Sequence, residues 1–332
     1  MKTFEHTIHR VERGPERPLI TIVICTFNRA ARLQRLLESV RALREPRGTF
    51  EIIVVDNNSA DETMRVVGDY IRNSGGRARY VFERAPGLSN ARNRGVREAK
   101  GRYIAFTDDD TLVSPDWLIE IENAFALFPD AAAIGGKVTL EWSAKPPAWL
   151  TADLHWMLAH TDHGEQVLRL DRPTLSGANF ACNVAALDGP KPFDPNLGRI
   201  GNTLRGGEET EFLQTILSQG RAVYYVPSMV IRHVIEQDRL VKGYFRKLMF
   251  DEGRGYVGLR SVRAAAHVGM GRMAARAGGR AARLWWNRKR TAAAFRCFYF
   301  AGVAAGFLLS GKAPLPFRER GASPLRVDRA RR

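Results

Sequence analysis

Three consecutive carboxylates, Asp108, Asp109 and Asp110, stand directly behind the apolar run RYIAFT. Like charges at this spacing repel, and a fold that gathers them commonly supplies a cation. Hard oxygen donors suit Mg2+ or Mn2+, ions that also bind phosphate oxygens. The bland alternative is a solvated acidic turn. A second acidic group, Glu208-Glu209-Thr210-Glu211, follows Gly206-Gly207 and opens a predicted helix. The helix dipole favours an anion there, which suits a general base that must be ionised at neutral pH. Ordinary N-terminal capping would favour the same acids. Asp56 closes an apolar run and can accept from the ring N–H of a pyrimidine, although Asn57, Asn58 and Ser59 behind it also read as a simple turn. Arg92 and Arg94 follow a Pro86-Gly87 turn, where Ser89 or Asn90 is a plausible helix cap and either arginine can meet phosphates. His233, and the loop histidines His155, His160 and His163, have no spacing that compels metal ligation.

The elements that must hold these residues alternate. Leu19–Cys25, Ile52–Val55, Arg79–Phe82 and Arg102–Thr107 read as strands. Ala30–Leu43, Met64–Ile71 and Asn90–Ala99 read as helices, the first with Leu33, Leu36, Leu37 and Val40 at helical spacing. This alternation predicts an α/β domain with a largely parallel sheet, whose ligands bind at the carboxyl ends of the strands. Thr26–Arg29, Asp56–Ser59 and Asp108–Asp110 all fall at such ends. Further on, Gly177–Leu187 reads as a strand entering a helix, Glu209–Ser218 as a helix and Ala222–Val226 as a strand. Pro146–Gln166, with Trp149 and Trp156, is loop-like.

Five segments occur in an order that resembles the family-2 glycosyltransferases of the GT-A fold: TIVICTFNR (21–29), IIVVDNNSADET (52–63), PGLSNARNRGVREAKGRYIAFTDDD (86–110), LSGANFACNVAAL (175–187) and GGEETEF (206–212). The resemblance implies a Rossmann-like, mixed but mostly parallel sheet flanked by helices. It implies transfer of one sugar from a nucleotide-diphosphate donor, UDP-sugar first, to a hydroxyl acceptor. Thr26, Asn28 and Arg29 would line the nucleoside pocket, Asp56 would hold the base and Arg92 would lie near the donor. The family's D-x-D motif falls on Asp108, facing the ribose, and Asp110, ligating Mn2+ or Mg2+; Asp109 between them joins the donor site. His233 matches a position that often adds a metal ligand. The family's Glu-Asp pair falls on Glu208 and Glu209. Glu209, one methylene longer than the usual Asp, is the expected base, with Glu208 in reserve. Direct displacement would invert the anomeric configuration. The Gln-x-x-Arg-Trp motif of processive synthases is absent, which favours single transfer.

The net charge of +16 is confined. Residues 253–332 hold 18 Lys+Arg against Glu319 and Asp328, while residues 1–252 balance at 33 of each sign. The expected organisation is a leader at 1–17, a catalytic domain at 18–240 and a basic, partly apolar helical extension at 241–332. Trp285, Trp286 and the aromatic residues of 295–300, beside Arg288–Arg290, suit an anionic membrane surface. The apolar run Cys297–Leu309 is short for a span, which needs about 20 residues. Nucleic acid is the alternative partner for this charge and is not expected. Three scattered cysteines and a polar N-terminus point to a reducing compartment. The expected location is cytoplasmic, peripheral on the inner face of the plasma membrane. The acceptor expected by analogy is a lipid-linked saccharide of surface polysaccharide or glycolipid synthesis. A haloacid-dehalogenase phosphatase would need a hydroxyl where Leu112 stands, and a dinucleotide site would need glycines where CTFNRAAR stands.

Overall fold

The computed structural model describes residues 18–189, 191–259, 297–303 and 305. The chain begins with β1 (Ile20–Thr26), α1 (Ala30–Arg41), β2 (Phe50–Asp56), α2 (Thr63–Arg72), β3 (Ala78–Phe82), α3 (Leu88–Glu98) and β4 (Tyr103–Asp108). There follow β5 (Thr111–Val113), α4 (Trp117–Leu127), β6 (Ala131–Trp142), β7 (Leu168–Arg169), β8 (Phe180–Asn183), α5 (Glu208–Ser218), β9 (Ala222–Ile235) and α6 (Lys242–Gly258).

These strands form a nine-stranded mixed sheet, in which β3-β2-β1-β4-β8-β6-β9-β5 run side by side and β7 pairs with β9. The first four strands are parallel, and all seven residues of β1 are buried. Helices on both faces explain this: Ile20, Ile22 and Ile24 pack with Leu33, Leu36 and Val67, while Val23 and Cys25 pack with Ala91 and Phe212 on the other side.

Register decides where the polar turns meet. Thr26 lies opposite Asp56 and Cys25 opposite Asp108, so β1, β2 and β4 end level at one edge. Antiparallel pairing of β5 with β9 sets Thr111 against His233, and the Val234 N–H donates to the Asp110 carbonyl at 2.9 Å. That pairing carries His233 to the aspartates from 123 residues away in sequence.

Several elements depart from the sequence reading. The stretch 111–145, to which it assigns no element, contains β5, α4 and β6. Alanines and Gly135-Gly136 dilute the strand signal of β6. The strand expected at 222–226 runs on to Ile235 as β9, with Pro227 in a register shift opposite Gly136/Lys137. A Cβ on Gly136 would fall 1.8 Å from the Met229 carbonyl oxygen, which explains the glycine. Asn179, fully buried, spans this irregularity: its amide donates to the Lys137 and Met229 carbonyls (3.0 and 2.8 Å) and its oxygen accepts from Trp117 Nε1 (2.9 Å). Part of the loop-like 146–166 region is a 3₁₀ turn, Ala152–Leu158. Its Leu150, Leu154, Met157 and Leu158 share a cluster with Ile235, Leu240, Phe245 and Leu248, so one packed cluster continues across residue 240.

The residues expected to contact a membrane, Trp285, Trp286, Arg288–Arg290 and Phe295, and the end of the apolar run at 306–309, lie outside the described residues. Residues 297–303 are helical and lie against α6. Cβ atoms on Gly253 and Gly302 would collide with the Tyr299 and Phe250 carbonyl oxygens, at 2.1 and 1.9 Å. No helix among the described residues is long and apolar enough to cross a membrane.

Candidate functional site

Two interlocked turns form one side of the site. Asn28 and Asn58 adopt positive φ (52° and 69°), a conformation asparagine tolerates better than most residues. The Asn28 side chain accepts from the Ala60 N–H at 2.7 Å, and the Asn28 N–H donates to Ser59 Oγ at 2.9 Å. Asp56 is 2% exposed, and both of its oxygens are engaged: Oδ1 accepts from the Ser59 N–H (2.9 Å) and Oδ2 from the Tyr80 hydroxyl (2.7 Å). A base reaching Asp56 would therefore exchange with Tyr80. Neither Ser89 nor Asn90 caps α3, which starts at Gly87 with φ 119°. Ser89 instead donates to the Leu197 carbonyl and Asn90 to that of Pro86. Arg94 pairs with Glu98 along the helix surface, leaving Arg92 as the arginine turned into the site.

Protein groups pair with the two buried members of the aspartate triplet. Thr26 Oγ1 donates to Asp109 (2.9 Å), and Arg29 bridges Asp109 and Asp110 (2.8 and 3.3 Å). Arg239 Nη2 donates to Asp110 Oδ2 at 2.5 Å. Burial would raise the Asp110 carboxyl, but the Arg239 and Arg29 guanidiniums hold it well below the usual carboxylate range. Burial raises Asp109 against the pull of Arg29. Asp108 is the accessible member, its side chain 33% exposed against 4% and 5% for Asp109 and Asp110.

Arg92, 2% exposed, ties the two acidic motifs together. It donates to Glu208 Oε1 (2.7 Å), Asp108 Oδ1 (3.1 Å) and the Gly177 carbonyl (3.0 Å). Burial opposes its charge, yet the surrounding carboxylates hold it fully protonated. Burial and then the charge of Glu209 push the Glu208 carboxyl up to about 8. Glu209 is half-buried beside Gly177, where a Cβ would fall 3.3 Å from its carboxyl carbon and 2.9 Å from Arg92 Nη2. The Oε2 atoms of Glu208 and Glu209 are buried without a hydrogen-bond partner.

His233 is buried among these groups. Its Nδ1 faces the Leu158 carbonyl at 2.7 Å and its Nε2 faces Arg239 Nη1 at 3.0 Å. A carbonyl only accepts and a guanidinium only donates, so the ring proton sits on Nδ1 and a lone pair on Nε2. The expected site residues thus form two linked networks, Thr26–Asp109–Arg29–Asp110–Arg239–His233 and Asp108–Arg92–Glu208. Glu209 lies beside the second, and Asn28 and Asp56 lie in the adjoining turns. Among the loop histidines, His163 faces the Thr174 carbonyl (3.3 Å), and His155 stands 6.0 Å from His160, ring to ring.

Carboxylate oxygen and imidazole nitrogen suit Mn2+ or Mg2+ chemically, and the pinned Nδ1–H is the usual support of a ligating histidine. The donor set of Asp110 and His233 therefore fits such an ion, with Asp108 the accessible carboxylate beside it. In this arrangement Arg239 occupies both donors, and no group of three or more His, Cys, Asp or Glu side chains among the described residues is disposed to hold a metal. Arg239 and Tyr80 are site residues that sequence reasoning missed. Arg239 ends the polar stretch Glu236-Gln237-Asp238-Arg239, which reads as surface.

Residues 21–189 match Glycosyl transferase family 2, and the chain belongs to that family. It is 25% identical over 69% of its length to glucosyl-dolichyl phosphate glucuronosyltransferase of Haloferax volcanii, covering 77% of that protein. It is 26% identical over 71% of its length to succinoglycan biosynthesis protein ExoM of Rhizobium meliloti, covering 73% of it. Its fold resembles that of the mannosyltransferase PcManGT from Pyrobaculum calidifontis, solved with GDP-Man and Mn2+ (TM-score 0.61, 19% identity, 88% of each chain). It also resembles GalNAc-T7, solved with UDP, GalNAc and Mn2+ (TM-score 0.52, 17% identity, 76% of this chain and 51% of that one). The fold is that of GT-A glycosyltransferases, and the protein is a glycosyltransferase.

Proposed function

We propose that this glycosyltransferase moves one sugar, with inversion, from a nucleotide-diphosphate donor to the hydroxyl of a lipid-linked saccharide. The observation that carries the reading is the buried, unpartnered Oε2 of Glu209 beside Arg92, at the strand ends that hold Asp108. A buried acceptor without a donor costs about 1–3 kcal/mol, so its persistence suits a place where a substrate hydroxyl donates.

In this reading Glu209 takes the proton from the acceptor hydroxyl as that oxygen attacks the anomeric carbon, and the bond from that carbon to the diphosphate oxygen breaks, its electron pair leaving with the nucleoside diphosphate. Arg92 holds Glu208 and Asp108 in place, and Asp108 and Arg29 face the donor. Asp110 and His233 would hold Mn2+ or Mg2+, which would supply charge neutralisation on the diphosphate. UDP-sugars are the first donors to test, because Asp56 can accept a pyrimidine N–H in exchange for the Tyr80 hydroxyl. The basic segment 253–332 holds the enzyme on an anionic membrane surface, on the cytoplasmic face, near such an acceptor.

The test is a transfer assay over UDP-, GDP- and dTDP-sugars with Mn2+, using wild type and Glu209→Gln. One donor should be turned over, with the rate falling roughly 10²–10⁴-fold in the variant while donor binding persists. An undiminished rate in Glu209→Gln would remove it as the base. NMR of the product anomer decides inversion.

A further inference from the structure

Arg239 is 3% exposed and spans the two atoms best placed to ligate a cation, Asp110 Oδ2 at 2.5 Å and His233 Nε2 at 3.0 Å. A guanidinium has donors only and a fixed positive charge, so it cannot share these lone pairs with a divalent ion. The segment that delivers it is a single 3₁₀ turn, Gln237–Arg239, between β9 and α6. Outside the site, side-chain ion pairs tie this turn to α1: Arg35 to Glu236 at 2.8 Å and Arg32 to Asp238 at 3.3 Å. Exposed pairs of this kind contribute about 0–1 kcal/mol each. The turn is thus held by its buried arginine and by Leu240 behind it, which packs with Ile235 and Phe245, and only weakly by its rim.

We propose that Arg239 is a tethered competitor for the cation seat at Asp110 and His233, so that metal entry and release of the Glu236–Arg239 strap are one equilibrium. The inference rests on reading Asp110 and His233 as cation ligands. Without metal, the guanidinium neutralises Asp110 and keeps the His233 lone pair occupied. A divalent ion gains both ligands only as Arg239 leaves, and its apparent affinity is reduced by the fraction of chains with the seat vacant. The residue therefore sets how tightly and how selectively the site takes metal.

The experiment is Mn2+ binding to the full chain, followed by electron paramagnetic resonance of free Mn2+ with no nucleotide present. Arg239→Gln should bind Mn2+ on the order of 10-fold tighter than wild type, and Arg239→Lys should stay near wild type. Arg239→Gln leaves a buried charge, so Glu236→Gln/Asp238→Asn, which loosens only the rim, serves as the second variant. It should tighten binding by roughly 2- to 5-fold, the effect of about 0.5–1 kcal/mol. Amide exchange over residues 236–241 should quicken in wild type when Mn2+ is added. Loss of binding in Asp110→Asn, with equal affinity in wild type, Arg239→Gln and the rim variant, would overturn the strap alone. Binding that survives Asp110→Asn would overturn the cation-site reading and the strap with it.

Discussion

Asp108, Asp109, Asp110 and Glu208 carry four of the acidic groups at the sheet edge, and Arg29, Arg92 and Arg239 lie among them. Arg92 matters to stability, because its loss leaves the buried Glu208 Oε1 and the Gly177 carbonyl without their donor; an unsatisfied buried acceptor costs about 1–3 kcal/mol. Glu208 carries a pH signature. Its folded value of about 8 lies above the ordinary 4.5, because burial and Glu209 disfavour its charge more than Arg92 favours it. A raised value means that the folded chain holds the proton more tightly than the unfolded one. This contribution to stability is complete below pH 4.5 and is lost as pH rises through about 8. Thermal melts between pH 5 and 9 should therefore show wild type losing more stability with rising pH than Glu208→Gln does. Parallel pH profiles for the two would mean that Glu208 is ionised throughout.

At the scale of elements, the site depends on strand ends that stop level and on β9 remaining in register beside β6. Asn179 maintains that register by satisfying two carbonyls and the Trp117 indole at the bulge. Asn179→Ala leaves all three without this partner. Each unsatisfied buried group costs about 1–3 kcal/mol, so urea unfolding should show a loss on the order of 3 kcal/mol. A loss below about 1 kcal/mol would show that the bulge is held by backbone pairing alone. Asn179 was within reach of a sequence reading only as one residue of the LSGANFACN segment. Its partners lie 42, 50 and 62 positions away, and no local pattern signals them.

For the whole molecule, the charge asymmetry is the feature that most needs a partner. A chain neutral over residues 1–252 and +16 beyond them should bind anionic vesicles in a salt-dependent way. Flotation of the full chain with anionic liposomes should succeed at low salt and weaken at high salt. Flotation no greater than with neutral lipid would refute membrane attachment. Residues 297–303 pack on α6 through Gly253 and Gly302, and leave Cys297, Phe298 and Ala301 exposed.

The strands β1 to β4, the helices between them and the polar turns at their ends were legible in the sequence, because buried parallel strands are continuous apolar runs and helices mark their own period. So were the family and the acidic residues at issue, since these are local patterns. What the carboxylates face was decided only by tertiary structure. A sequence of three aspartates implies repulsion that something must offset, and Mn2+ or Mg2+ was the natural reading. The fold brings Arg29, Arg92 and Arg239 to them from 81, 16 and 129 positions away. Charge compensation depends on distance in space, and neither composition nor periodicity records it.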